Sequence, residues 1–202
     1  MDLLRFKEDI IQLITNHSSA SNIYHSVFHT LDVLNAVDNL IPHFDLDNET
    51  AFLIQTSALL HETGMTRSRT AHEAASVEIA EELLPDYGFS AVQIKRISAM
   101  ILATTMPQRP ESLEAQILCD ADLDYLGRDD YFIISHKLRL EWIKTENYTQ
   151  DLKKWYMFQQ DFLSNHKYFT AAARSLRHKG KVQNLQLVCN LVDSINAKNQ
   201  PE

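Results

Sequence analysis

Two histidines four residues apart are the first residues of the chain whose types and spacing indicate chemistry. His25 and His29 lie in the segment YHSVFHTLDV. Side chains four residues apart on a helix are neighbours on one face, about 5–6 Å from each other. If this segment is helical, both imidazoles face the same side, where a histidine can serve as a metal ligand or as a proton donor.

A second polar pair ends an apolar segment. His61 and Glu62 follow the apolar run 58–60 and precede Gly64. An imidazole and a carboxylate at the end of a buried helix are costly unless a partner satisfies them. A divalent cation satisfies both groups at once, so this pair is a candidate metal site.

Three carboxylates interrupt another apolar segment. Asp120, Asp122 and Asp124 lie within five residues of ILCDADLD. On a helix, Asp120 and Asp124 share a face and Asp122 points roughly opposite. We interpret Asp120 and Asp124 as charges on a helix surface. A carboxylate on the apolar side of such a helix requires a cation or hydrogen-bond donors.

The elements that must position these residues are predicted to be helices. Apolar residues recur at helical spacing almost everywhere, and no period-2 stretch of strand length stands out. Only four glycines and five prolines occur in 202 residues. We therefore predict an all-α fold. The predicted helices cover residues 21–41, 48–64, 70–84, 90–104, 112–126, 129–144, 149–166 and 170–196.

Length and composition predict an ordinary globular chain. Apolar residues make up 45% and charged residues 23% of the 202 residues, which excludes a disordered or fibrous chain. We predict a single all-α domain over residues 1–202. Within it we expect a catalytic core at about 20–130 and a C-terminal helical appendage at 145–197.

Charge, hydropathy and cysteine content indicate which partners and which cellular environment to expect. The formal net charge is −8, so binding to duplex nucleic acid, which needs clustered Lys and Arg, is not expected. No apolar run approaches the roughly 18 residues of a membrane span, and no secretory signal is visible. Cys119 and Cys189 form no CxxC pair. We expect reduced thiols in a cytoplasmic protein.

The order of the motifs resembles the HD superfamily of metal-dependent phosphohydrolases. Members carry a His, then a His-Asp pair, then an Asp, all on helices. YHSVFHTLDV looks like the corresponding helix of cyclic-nucleotide phosphodiesterases, HETG stands at the place of the His-Asp pair, and CDADLDYLG resembles the terminal aspartate motif. The resemblance covers about residues 20–130.

Matched position by position, the resemblance implies a metal site and a reaction. His29, His61, Glu62 and Asp122 are the implied ligands of a divalent ion, which can be Mn, Fe, Ni, Mg or Zn. Asp122 is also implied to orient or deprotonate the attacking water, and His25 to protonate the departing oxygen. The implied activity is hydrolysis of a phosphomonoester or phosphodiester.

The expected substrate is a nucleotide or another small phosphate compound. His72 matches a histidine that in some members binds a second metal or the substrate phosphate. Arg67 and Arg69 follow the HETG turn, where guanidinium groups can bind a phosphate through two hydrogen bonds. Lys137 is a further candidate for phosphate contact. The sequence predicts no oligomeric state.

Two departures from the family pattern leave alternatives open. Glu62 replaces the Asp of the pair, which keeps the charge but adds a methylene. No histidine occurs between residues 73 and 122, where members with two tightly bound metals have one or two more, so we expect one firmly held ion. The alternatives are a non-catalytic nucleotide-binding or regulatory module, an iron-dependent oxygenase on the same scaffold, and a helical interaction protein without metal.

Overall fold

The computed structural model describes residues 3–17, 19–145 and 151–198. These residues form helices and no strands, which confirms the predicted all-α class. The α-helices are α1 (Leu3–His17), α2 (Val27–Leu40), α3 (Asn48–Leu60), α4 (His72–Leu83), α5 (Ala91–Ala103), α6 (Leu113–Asp122), α7 (Tyr131–Thr145), α8 (Leu152–Asn165) and α9 (Ala171–Lys198). Short 3₁₀ segments occur at Ile41–His43, Thr63–Thr66, Leu84–Tyr87 and Asp124–Gly127.

Several helix boundaries differ from the sequence prediction. Helix α2 begins at Val27, after an N-cap at Ser26 with extended backbone, so His25 precedes the helix. Helix α6 ends at Asp122, and the predicted continuation to residue 126 is replaced by a 3₁₀ segment. Helix α8 begins at Leu152, and the predicted start at Thr149 lies outside the described residues. Helix α3 ends at Leu60 and not at residue 64, so His61 and Glu62, like His25, lie off the predicted helices.

The chain divides into two compact units, Met1–Leu123 and Asp124–Glu202. In the first unit, α3 lies at the centre and contacts α2, α5 and α6. Its fully buried apolar side chains are Leu53, Ile54, Ala58, Leu59 and Leu60. Each buried Leu or Ile contributes about 1.5–3 kcal/mol relative to an exposed one, so this helix rigidly supports the turn at its C-terminal end. The single-domain organisation stays a prediction.

Capping residues fix where the helices of the first unit begin. The Asp47 carboxylate accepts a hydrogen bond of 2.6 Å from the backbone N–H of Thr50 and starts α3. Ser90 and Gln93 form a capping box at α5. Ser112 caps α6 through the N–H of Ala115. Such caps satisfy backbone donors that the helix leaves open, typically for about 1 kcal/mol each.

The second unit is held by a buried carboxylate and a close helix contact. Asp124 is 5% exposed and accepts a hydrogen bond of 2.6 Å from Nε of Arg177. A Cβ added at Gly180 of α9 would lie 2.0 Å from the carbonyl oxygen of Gly127, so the two backbones touch. In the described part of the chain, no helix is both long and apolar enough to cross a bilayer.

Candidate metal centre

His61 lies where α3 ends and is almost completely buried, with 1% of its surface exposed. Its Nδ1 lies 2.8 Å from the carbonyl oxygen of Ala58. A carbonyl oxygen only accepts hydrogen bonds, so Nδ1 carries the proton and the lone pair of Nε2 stays available in the neutral ring. This is the usual arrangement of a histidine that binds a metal.

Three donor atoms of the predicted ligand set converge. Nε2 of His29, in the first turn of α2, lies 3.4 Å from Nε2 of His61 and 3.2 Å from Oδ1 of Asp122. Nε2 of His61 lies 3.7 Å from the same Oδ1. Two imidazole nitrogens that lie so close to one carboxylate oxygen need a proton or a cation between them. We call His29, His61 and Asp122 the first triad.

Glu62 lies between the first triad and a second group of side chains. Its Oε1 is 3.7 Å from Nε2 of His61 and 3.4 Å from Nε2 of His72. One ligand atom each of His25, Glu62 and His72 lie within 4.8 Å of one another. We call these three residues the second triad. Both triads contain only histidine and carboxylate donors, a set that suits a first-row transition ion.

A serine fixes the turn that carries His61 and Glu62. The hydroxyl of Ser76, on α4, donates to the carbonyl oxygen of His61 across 2.8 Å and accepts from the backbone N–H of Gly64 across 2.7 Å. The turn packs so closely on α4 that a Cβ at Gly64 would lie 1.9 Å from the carbonyl oxygen of His72. The end of α3 and the start of α4 are therefore held in one arrangement.

Burial and neighbouring charges set the protonation of the site. Burial raises the pKa of the Asp122 carboxyl, but hydrogen bonds from His29 and His61 outweigh it and hold this pKa well below its usual range. Burial also raises the pKa of Glu62, and the charge of His25 leads the effects that lower it to about 2. Both carboxylates are therefore ionised at neutral pH and attract a cation.

For two of the histidines that contact these carboxylates, His61 and His72, the pKa shifts in the opposite direction. Burial lowers the pKa of His61, but its hydrogen bond to Asp122 and the charge of Glu62 raise it overall. Burial lowers the pKa of His72, and its hydrogen bond to Glu62 together with the charge of Glu62 raises it to about 9. In the metal-free chain, protons therefore occupy positions that a metal ion would otherwise take.

Gln108 belongs to the site and was not predicted from the sequence. It lies in the segment between α5 and α6, and its Nε2 donates to Oδ2 of Asp122 across 3.0 Å. The carboxylate thus has one oxygen directed to the histidines of the first triad and the other held by an amide. A lone Gln in a loop has no spacing signal, so the sequence offered no means of finding it.

The three basic residues that were predicted to contact a phosphate have different neighbours in the structure. Arg67 makes an ion pair of 2.5 Å with Glu82 on α4. Arg69 donates to the side chains of Asn22 and Ser21. Lys137 is an exposed residue of α7, in the second unit. Their roles in substrate binding stay predictions.

The interpretation of Asp120 and Asp124 as surface charges is wrong. Asp120 is 1% exposed and Asp124 is 5% exposed. Helix α6 ends at Asp122, so the helical face that Asp120 and Asp124 were expected to share does not exist. Asp124 instead pairs with Arg177 and Arg128 in the second unit, where the guanidinium groups offset the cost of burial.

Comparison with known proteins bears on the fold and on the motif order. Residues 26–124 match the family model described as the HD domain. A crystal structure described as a predicted HD superfamily hydrolase, from an uncultured Thermotogales bacterium, is similar with a TM-score of 0.58 and 20% identity. That match covers 98% of this chain and 99% of that chain. No curated protein matches the sequence. The matches confirm the resemblance that the motifs predicted and the HD-type fold.

Proposed function

We propose that this chain, which contains an HD domain at residues 26–124, is a metal-dependent phosphohydrolase of a small phosphate compound. HD domains are typical of metal-dependent hydrolases. The observation that carries the proposal is the convergence of His29, His61 and Asp122, whose three donor atoms lie 3.2–3.7 Å from one another. The proposed reaction is attack of water on the phosphorus of a monoester or diester.

The first triad fits a divalent cation by its donor chemistry. Two imidazole nitrogens and a carboxylate oxygen are directed to one point, and Oε1 of Glu62 lies within reach of His61. A bound divalent ion lowers the pKa of water and neutralises phosphoryl oxygens. His29, His61 and Asp122 would hold the ion, with Glu62 beside them. The chain brings these four acid and imidazole groups together from α2, from the turn after α3 and from the end of α6.

The side chains of the site have distinct tasks in this proposal. The Ala58 carbonyl fixes the ring of His61, so that Nε2 points to the centre. The Gln108 amide fixes the rotation of Asp122 through Oδ2. In this proposal, Asp122 held in this rotation would also orient the attacking water towards the phosphorus. Because these side chains are already oriented, they can accelerate the reaction without having to rearrange during it.

A panel of phosphoesters tests the proposal. Wild-type protein is assayed on p-nitrophenyl phosphate, bis-p-nitrophenyl phosphate, nucleoside monophosphates and cyclic nucleotides, each with Mn²⁺, Mg²⁺, Ni²⁺ or Fe²⁺. We expect hydrolysis with at least one pair. Loss of a metal-orienting partner costs 10–100-fold in activity, so His61→Ala and Asp122→Ala should lose more than about 100-fold. His43→Ala and Asp45→Ala, which change exposed residues, serve as matched controls.

A second candidate function is a nucleotide-binding module without turnover. It is favoured by Glu62, whose Oε1 lies closer to His72 than to His61 and so departs from a simple four-ligand site. A protein that binds a nucleotide, hydrolyses none of the panel and gains activity on Glu62→Asp would establish this function. Hydrolysis by the wild-type protein would exclude it.

The proposed environment and partners rest on the cysteines and on the net charge of the chain. We propose a cytoplasmic protein that acts on a small phosphorylated substrate. Cys119 and Cys189 are both free thiols, as expected of a reducing compartment. A duplex nucleic acid is not among the proposed partners, because the net charge is −8.

A further inference from the structure

Exposed apolar side chains are concentrated in the second compact unit. Among the described residues, ten of the large exposed apolar side chains lie in residues 124–202 and five in the longer segment 3–123. Three of the ten are the leucines Leu176, Leu187 and Leu191 of α9, which lie within about 60° of one another around the helix axis. A cluster of exposed leucines on one side of a helix marks an interaction surface.

A groove follows this side of α9. Two open cavities share Phe132, of α7, and Leu187 in their lining. Apart from Asp129, the other lining residues that the structure describes are uncharged, and five of them are polar: Gln183, Asn184, Gln186, Asn190 and Ser194. The lining that α9 provides therefore offers no charge to an ionic ligand and fits an apolar surface that carries amide groups.

The charges of α9 lie at the two ends of this exposed side. Lys179 and Asp193 are both exposed and are fourteen residues apart, which is close to four helical turns. Both side chains therefore lie on the same side of the helix, about 21 Å apart along its axis. Of the residues between them, Lys181 is charged but buried, and the others carry no charge. We call the exposed side of α9 from Lys179 to Asp193 the neutral face, which has a cation at one end and an anion at the other.

We propose that the neutral face binds the neutral face of a second copy of this chain, with the two α9 helices antiparallel about a two-fold axis near Gln186. Because the ends of the face carry opposite charges, an antiparallel pair places Lys179 beside Asp193 of the partner subunit, and does so at both ends. A parallel pair would instead bring like charges together, which costs free energy. The charge pattern therefore favours a second copy as the partner and fixes its direction.

The middle of the neutral face is complementary to itself. A two-fold interface uses the same patch on both subunits, so the patch must fit its own copy. Amides meet this condition because each one both donates and accepts hydrogen bonds. Gln183 and Asn190 lie on either side of Gln186, so an antiparallel copy brings Gln183 near Asn190 of the partner subunit. Leu187 and Leu191 lie beside these amides and are covered by the same contact.

The inference goes beyond the proposed function and does not depend on it. The neutral face lies within residues 124–202, and the predicted metal ligands His29, His61, Glu62 and Asp122 lie in the first unit. We therefore expect the dimer with or without a bound ion.

The oligomeric mass of the full chain tests the inference. Light scattering after size-exclusion chromatography, with sedimentation velocity at several concentrations, should give twice the chain mass of 23.3 kDa. Lys179→Glu and Asp193→Lys each place like charges at both ends, so each should raise the dissociation constant of the dimer more than about 10-fold. The double variant Lys179→Glu/Asp193→Lys restores opposite charges and should return the constant to near its wild-type value. Lys154→Glu, which reverses an exposed charge on α8, should leave it unchanged.

A substitution in the middle of the neutral face gives a second readout. Leu187 is 49% exposed, so Leu187→Glu should yield a monomer whose helix content, measured by circular dichroism, equals that of the wild type. A wild-type chain that is monomeric at every concentration would overturn the proposal. A dimer that tolerates Leu187→Glu and both single charge reversals would also overturn it, because another surface would then hold the copies together. Failure of the double variant to restore the dimer would exclude the antiparallel arrangement.

Discussion

The side-chain amide of Gln108 donates a hydrogen bond of 3.0 Å to Oδ2 of Asp122, while Oδ1 of the same carboxylate faces His29 at 3.2 Å. The two oxygens of Asp122 therefore have different partners. A carboxylate held at one oxygen has a fixed rotation, so the other oxygen is already directed to the metal position before any ion binds. Gln108 is in this sense a positioning residue that acts through Asp122.

Loss of this amide should weaken metal binding without destroying the site. We expect Gln108→Ala to raise the dissociation constant for Mn²⁺ by about 10–100-fold, as removal of an outer partner does in other metal sites. Isothermal titration calorimetry measures the constant. Gln183→Ala, which removes an exposed amide on α9, is the control. An unchanged Mn²⁺ affinity in Gln108→Ala would show that Asp122 needs no help to adopt its orientation.

The sequence predicted the ligand types of the site better than their grouping. The family resemblance groups His29, His61 and Asp122 as ligands, and the structure brings one donor atom of each close together. The prediction that His25 and His29 share a helix face is wrong, because α2 begins at Val27 after the extended residue Ser26 and leaves His25 on the preceding segment. A serine at the N-cap position within an apolar stripe gives no change in periodicity, so the start of α2 was not visible in the sequence.

Contacts between distant segments account for most of what the sequence did not predict. The hydrogen bond between Gln108 and Asp122 and the approach of Glu62 to His72 depend on tertiary packing, which no local spacing encodes.

Helix α1, in contrast, was missed although its signal is local. Its buried residues Phe6 and Ile10 are four apart, with Ile14 after them, so periodicity marks this helix in the sequence although it was not among the predicted helices.

The pairing of His72 with Glu62 should make the stability of the metal-free protein depend on pH. The pKa of His72 is raised from 6.5 to about 9, so the folded state binds this proton more tightly than the unfolded chain does. The stabilisation that the protonated His72 provides to the folded state is complete below pH 6.5 and is lost as the pH rises towards 9. Solvent screens a partly exposed ring, so we expect a loss of about 1–3 kcal/mol in the free energy of unfolding.

Urea denaturation in EDTA between pH 6 and pH 9.5 measures this loss. His72→Gln should remove most of the pH dependence, and His43→Gln should keep it. On the acid side the sign is opposite, because the pKa of Glu62 is lowered from 4.5 to about 2 and its contribution disappears as pH falls from 4.5 to 2. A free energy of unfolding that does not change above pH 6.5 would contradict the pairing in the metal-free state.

Burial should protect Cys119 from reaction in the folded protein. Burial leads the effects that raise the pKa of this thiol far above its usual range, and its Sγ faces the carbonyl oxygen of Ala103 at 3.2 Å. The thiolate is the reactive form, so we expect no alkylation of Cys119 by iodoacetamide at pH 8 in native protein. Cys189 is half-buried and should react first. Mass spectrometry of peptides, with urea-unfolded protein as reference, identifies the modified residue.

A methyl group at Gly64 should disturb both stability and metal binding. The added Cβ would lie 1.9 Å from the carbonyl oxygen of His72 and 2.6 Å from the backbone nitrogen of Ser76, so the turn must move away from α4. Forced backbone shifts of this kind cost typically 1–3 kcal/mol. Because the turn carries His61 and Glu62, Gly64→Ala should also lower the affinity for Mn²⁺.

Gly88→Ala is the matched control, because it separates backbone strain from steric conflict. Gly88 has a φ of +79°, and a Cβ there meets no atom within 4 Å. An alanine in this left-handed conformation costs roughly 1–2 kcal/mol, and the site is untouched. Gly88→Ala should therefore lower the melting temperature and leave the Mn²⁺ affinity at the wild-type value. If Gly64→Ala binds Mn²⁺ as tightly as Gly88→Ala does, the contact between the turn and α4 does not position the ligands.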